Sequence, residues 1–313
     1  MSIILYFAGK QCEEAIEHIR NKGGHKLYSQ YTERKDIEVW KDKYLSPNNN
    51  LLIDSGAFTA HTKNKAIDVN EYIGYINSFT SPDVFFVQLD HIPGIFGMPR
   101  TKEHVTESAE KSWENFIYMV DKVNRPDRLL PVFHLGEDLK YLERILNTQF
   151  NGKYLDYIGF GGLSIRSNRD RDVHLERAKR VVKGSKNPNV KVHAFGVTTF
   201  KLLEKYPFYS CDSSTWIQNS TMGSIITPKG GFVVSDTRIK DPAHVCNMPK
   251  EVYIALENYV NSLGFDLCKL RKDYKERLKF DIEYYINRAK KFKYNTELSN
   301  RPRFVTEVHN VQN

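Results

Sequence analysis

Leu51-Leu52-Ile53-Asp54-Ser55-Gly56-Ala57-Phe58 joins a short apolar run to a polar turn and then to a helix-like stretch. A run this short, ending on a carboxylate and a glycine, reads as a buried strand that delivers a polar group at its carboxyl end. The same syntax recurs along the chain. Run 84–89 ends in Asp90-His91, run 129–133 in His134-Leu135-Gly136, and run 155–160 in Gly161-Gly162. Run 190–195 ends in Gly196, and run 208–211 in Asp212-Ser213-Ser214. With 3–7 and 231–234 there are eight apolar runs, separated by longer amphipathic stretches such as 101–123, 138–146, 175–182 and 199–205. Strand alternating with helix implies a parallel sheet, and eight runs predict a (β/α)8 TIM-type barrel, in which strand ends converge on one face. A doubly wound open sheet is the alternative, but no G-x-G-x-x-G follows an early strand.

The bulk properties agree with one enzyme-sized barrel. The chain has 313 residues, of which 40% are hydrophobic and 27% charged, as in soluble globular proteins. No apolar run is long enough to cross a bilayer, so no membrane partner is expected. The opening Met-Ser-Ile-Ile-Leu-Tyr-Phe lacks a basic region ahead of its apolar residues and reads as a first strand, not a signal peptide. Cys12, Cys211, Cys246 and Cys268 are scattered, without a C-x-x-C pair. That spacing argues against a disulfide framework or a zinc cluster and favours a reducing cytoplasm. A net charge of +8 favours a polyanionic partner such as nucleic acid. After about residue 249 the pattern changes to long basic amphipathic helices, 250–263 and 267–292, with a polar tail from about 293. The expected organisation is a catalytic barrel over 1–248 and a basic helical extension over 249–313. That extension packs on the barrel, clamps the substrate, or pairs two subunits as a homodimer.

Three strand-end acids are the candidates for chemistry. Asp212 is placed to attack a sugar carbon and form a covalent glycosyl intermediate, although Asp-Ser-Ser-Thr also suits a helix N-cap. Asp54, with Gly56 allowing close backbone approach, suits a general acid/base, although Asp-Ser-Gly is also an ordinary turn. Asp90 would accept hydrogen bonds from the N–H edge of a guanine-like base, or else cap a loop. Three acids around one pocket repel, so at least one holds its proton more tightly. Gly161-Gly162-Leu163 offers backbone N–H groups to a base carbonyl, and Phe58 and Phe195 offer rings for stacking, though each also suits a turn or a core. Ser55, next to Asp54, joins the substrate-binding set. His91 lacks the spacing of partners that would press a metal claim, so no metal and no cofactor are expected.

Taken in order, these segments resemble the tRNA-guanine transglycosylases. Leu52-Ile53-Asp54-Ser55-Gly56-Ala57-Phe58 is similar to their DSGGF or DSGSF motif, and Gly161-Gly162-Leu163 to their GGL segment. Val192-His193-Ala194-Phe195-Gly196-Val197 resembles the LMGVG strand, and Cys211-Asp212-Ser213-Ser214-Thr215-Trp216 the FDSASY nucleophile motif of the archaeal branch. The resemblance implies Asp212 as nucleophile, Asp54 as general acid/base, Asp90 as base reader, Gly161, Gly162 and Leu163 at the base carbonyl, and Phe58 and Phe195 as stacking residues. Two departures stand out. His134 occupies the place of the family's base-contacting Gln, and no C-x-C-x-x-C zinc motif follows Asp212. A compact chain without the zinc subdomain is closest to the phage branch that puts 7-deazaguanines, in cyano or aminomethyl form, into DNA, which would place it in a host cytoplasm. The alternatives are a transglycosylase acting on tRNA, a nucleic-acid-binding barrel without catalysis, and a metal-dependent hydrolase built on Asp90, His91 and His134.

Overall fold

The computed structural model describes residues 3–163, 167–197, 199–206 and 208–292. The polar tail expected from about residue 293 lies outside the described residues. In chain order the strands are β1 (Ile4–Ala8), β2 (His25–Ser29), β3 (Leu51–Asp54), β4 (Val84–Val87), β5 (Leu129–Leu130) and β6 (Val132–His134). They continue with β7 (Gln149–Phe150), β8 (Lys153–Tyr154), β9 (Tyr157–Gly161), β10 (Lys191–Ala194), β11 (Ser210–Ser213), β12 (Ser224–Thr227) and β13 (Gly230–Val233). Nine of these form one sheet in the order β5-β4-β3-β2-β1-β11-β10-β9-β6, and every neighbour pair in it is parallel. The pairs β7–β8 and β12–β13 are separate antiparallel hairpins.

The two ends of that sheet meet. β5 and β6 are separated by Pro131 alone; β5 pairs with β4, and β6 with β9. Proline has no N–H to donate, so it interrupts a ladder. Its carbonyl still accepts from Gly159 N–H at 2.8 Å, while Gln88 N–H donates to the Leu130 carbonyl at 2.9 Å. The interrupted strand is therefore bonded on both flanks, and the sheet curls into a parallel α/β barrel. Alternate residues then point in and out. Tyr6, Leu27, Leu52, Val87, Leu130, Val132 and Tyr157 fill the interior. Leu5, Phe7, Leu51, Ile53, Val84, Phe86, Ile158 and Val192 face outward into the larger core beneath the helices.

Two strand assignments differ from the sequence reading. Run 231–234 is not a barrel strand; β13 pairs only with β12, outside the ring. The missing barrel strand is β2, His-Lys-Leu-Tyr-Ser, whose polar residues hide it from a hydrophobicity search. Lys26 sits there wholly buried because its ammonium donates to the Gly9 carbonyl at 2.6 Å and lies over the Tyr28 and Trp216 rings. Burial pulls its pKa down to about 7 against the nearby charges of Glu33 and Asp36. The stretch 267–292 is also broken, into Leu267–Lys272 and Tyr274–Lys291, at Asp273, whose carboxylate accepts from Lys275 N–H and caps the second helix.

The C-terminal helices divide between two cores. Leu278, Ile282, Tyr285 and Ile286 of Tyr274–Lys291 belong to the same buried cluster as Ile16 and Ile19 on the helix Glu13–Asn21. On its other side Phe280 joins Ile225, Val234, Leu256, Val260, Leu267 and Leu270 in a smaller cluster under β12 and the helix Lys250–Ser262. Between the two, buried Asp281 accepts from Ser220 Oγ and Ile226 N–H, both at 2.9 Å, and Arg277 donates to the carbonyls of Ser220 and Leu270. The last helix is thus tied to the barrel by both apolar packing and hydrogen bonds. Leu278→Ala is expected to lower stability by about 2–5 kcal/mol, as for other buried leucines, read by urea denaturation. A loss well under 1 kcal/mol would mean that this helix contributes little to the barrel core.

Candidate active site

All barrel strands run the same way, so their carboxyl ends share one mouth. Asp54 is the last residue of β3, opposite Ser29 in register. The chain then turns sharply. Gly56 has a φ of +78°, and a Cβ there would sit 2.4 Å from Tyr31 Cβ, so only glycine fits. Gly56 N–H donates to Asp54 Oδ2 at 3.0 Å, which fixes the carboxyl. Ser55 is buried behind the turn, its carbonyl accepting from Gln30 Nε2 at 2.9 Å. Phe58, on the following short helix, is 56% exposed and meets Phe96 edge-on with centroids 6.5 Å apart. It flanks the mouth instead of lining the interior.

Asp90 leaves β4 on a loop anchored by the helix Lys102–Lys122. Asn115 donates to the Leu89 carbonyl, and His91 N–H donates to Ser112 Oγ at 2.8 Å. Gln88 Nε2 donates to Asp90 Oδ1 at 2.5 Å. On the other side, His134 Nε2 lies 3.4 Å from Asp90 Oδ2, and His134 Nδ1 lies 3.3 Å from Glu137. Burial would lower the His134 pKa, but the two carboxylates outweigh it and raise it to about 9. His134 is therefore an imidazolium at neutral pH, clamped between acids. Burial raises Asp90 despite the opposing pull of His134 and Gln88.

Asp212 is not a helix cap. It lies within β11, 7% exposed, and the helix that follows starts after Ser214. Its Oδ1 accepts from Gly196 N–H at 3.0 Å and lies 3.1 Å from His193 Nε2. His193 points inward from β10 and is wholly buried; its Nδ1 is 2.7 Å from Ser210 Oγ, which in turn contacts the Tyr157 hydroxyl. Gly159 and Gly161 face this interior from β9. A Cβ at Gly159 would lie 2.4 Å from the Phe195 ring, and one at Gly161 2.4 Å from the His134 ring. Phe195 also packs edge-on against His193, centroids 4.3 Å apart. Beyond Gly161, Gly162 turns with a positive φ, and Leu163 is fully buried in the outer core.

The mouth thus brings Asp90 and Asp212 each within electrostatic reach of Asp54. Burial is the main cause that lifts the Asp54 pKa to about 6, and the charges of Asp90 and Asp212 add to it against the Gly56 hydrogen bond. One acid poised near neutrality beside two others is the pattern of a general acid/base next to a nucleophile. Sequence reasoning missed His193, Glu137 and the Gln88 contact. The signals were present: a histidine in phase with inward positions of an apolar run, and an acid three residues after His134. Among the described residues no group of three or more His, Cys, Asp or Glu side chains is arranged to hold a metal ion, and no helix is long and apolar enough to cross a membrane.

No protein-family model matches the chain. The chain is similar to Uncharacterized protein 306 of Sulfolobus islandicus rod-shaped virus 1, 28% identical over 127 residues, a match that covers 41% of this chain and 37% of that protein.

The raised Asp54 pKa has a consequence for stability. A buried acid whose folded pKa is lifted favours the fold fully below its ordinary value and loses that contribution as pH rises through about 6. Asp54→Asn keeps an acceptor for Gly56 and does not titrate. The variant is expected to match the wild type near pH 4 and exceed it by roughly 1–2 kcal/mol at pH 8. Urea unfolding at both pH values checks this; an unchanged difference between them would remove the assignment.

Proposed function

We propose that the protein is a base-exchange glycosyltransferase that replaces guanine in DNA with a 7-deazaguanine, in cyano or aminomethyl form, through a covalent glycosyl intermediate on Asp212. The observation that carries this reading is the meeting of Asp54, Asp90 and Asp212 at one barrel mouth, with Asp54 lifted to about 6. A pure phosphate binder has no use for three acids in a low-dielectric pocket, because they repel the backbone that it would grip.

The basic surface attracts the phosphate backbone, and the target nucleoside is unstacked into the mouth. Phe195 offers a ring from the interior, while Phe58 offers one at the rim. Asp90, held by Gln88 and His134, accepts from the N–H edge of the base, and the Gly161–Leu163 turn offers backbone N–H groups to the base carbonyl. Asp212 Oδ2 attacks the anomeric carbon as the bond to guanine N9 breaks; the electron pair leaves with guanine, which takes a proton from Asp54. The incoming base then loses its N9 proton to Asp54 and displaces Asp212, whose carboxylate regains the electron pair. Two displacements retain the sugar configuration.

DNA is favoured over tRNA because the sequence after Asp212 holds no C-x-C-x-x-C motif; a short helix and the β12–β13 hairpin stand there instead. With radiolabelled guanine and either DNA or tRNA, the wild type is expected to exchange label into DNA. Asp212→Asn is expected to lose roughly three orders of magnitude or more, and Asp54→Asn to lose activity with it. Exchange at full rate in Asp212→Asn would end the nucleophile assignment; exchange into tRNA alone would transfer the reading to that substrate.

A further inference from the structure

The network behind Asp212 has a direction. A carboxylate only accepts, so the 3.1 Å contact requires the proton of His193 on Nε2. In that tautomer Nδ1 accepts, and its partner at 2.7 Å, Ser210 Oγ, is the donor. Ser210, having given its proton to Nδ1, accepts from the Tyr157 hydroxyl. The chain Tyr157 to Ser210 to His193 to Asp212 therefore runs one way, entirely within the barrel interior. It ends on Oδ1, which also receives Gly196 N–H at 3.0 Å. Both named donors converge on one oxygen of the carboxylate, which leaves Oδ2 as the attacking atom.

We infer that His193 is a positioning residue whose Nε2–H, together with Gly196 N–H, makes Asp212 a good leaving group in the second displacement. This rests on the base-exchange reading. Once Oδ2 is bonded to the anomeric carbon, Oδ1 is the carbonyl oxygen of an ester. Breaking the C–O bond returns the electron pair to the carboxylate, and the negative charge that develops on Oδ1 meets two preorganised donors. The donors stabilise the free carboxylate most, the ester least and the dissociative transition state between them. Their loss disfavours departure of Asp212 while leaving its attack electronically unhindered. The adduct then becomes the resting form. Burial of His193 concentrates this effect, because a hydrogen bond to developing charge is stronger in a low-dielectric interior.

The test separates the two displacements. Wild type, His193→Leu, His193→Gln and Ser210→Ala are incubated with a DNA oligonucleotide carrying radiolabelled guanine. Guanine release is followed first, the covalent protein–DNA adduct is read on a denaturing gel, and its discharge by added unlabelled guanine is timed. In His193→Leu, release is expected within a few-fold of wild type, with discharge slowed by about 100-fold and adduct accumulating. His193→Gln, whose amide N–H can take the place of Nε2–H, is expected to restore discharge to within about 10-fold. Ser210→Ala removes the nearer of the two hydroxyls that face Nδ1, Tyr157 being the other at 3.4 Å, and adduct is expected to accumulate there too. Equal slowing of both steps in these variants, or wild-type discharge in His193→Leu and Ser210→Ala, overturns the inference while the exchange reading stands. A wild type that releases no guanine from DNA or tRNA overturns that reading, and the role of His193 with it.

Discussion

Closure of a parallel ring through an interrupted strand is the constraint on which the rest of the structure depends. β5 and β6 satisfy different neighbours on either side of Pro131, so the sheet has no free edge where they meet. A parallel ladder accepts neither a reversed strand nor a one-residue slip without turning every side chain to the wrong face. Once the ring is closed, Asp54, His134, Gly161 and Asp212 are forced to the same end. The fold does not merely hold these groups; it leaves them nowhere else to go.

Convergence has an electrostatic cost, and the site is arranged around it. Asp90 is answered by Gln88 and by His134, which is itself answered by Glu137. Asp212 is answered by His193 and Gly196. Among the described residues Asp54 receives a single backbone N–H and no cation, and burial together with its neighbours lifts it to about 6. Unequal compensation is what distinguishes three chemically identical carboxyls: two are answered by neighbouring side chains, and the third by a backbone N–H.

The apolar runs made most of the barrel legible, because a strand buried on both faces has to be apolar along its length. They failed at β2, where Lys26 is neutralised in its surroundings by a carbonyl and two rings that no local window can see. They misplaced run 231–234, since a Gly-Phe-Val-Val stretch suits a hairpin as well as a barrel strand. The strand-end acids were legible as a set, and the register brings them together. Their partners were not, because His193 and Glu137 act through contacts across strands and turns that composition does not reveal. Phe58 was expected as a stacking residue, and it stands exposed at the rim, edge-on to Phe96. Spacing places a residue near a strand end but does not say which way a ring leans.

Gly159 and Gly161 carry a consequence of a different kind. With no methyl permitted at either position, β9 contributes no side-chain relief, and the interior there is contoured by the faces of Phe195 and His134. The groups that would do chemistry belong to β3 and β11, whereas those that set the contour belong to β6, β9 and the end of β10. Reactivity and fit are thus written on adjoining arcs of one ring. Such a partition lets a lineage reshape what the cavity admits while its acids remain untouched.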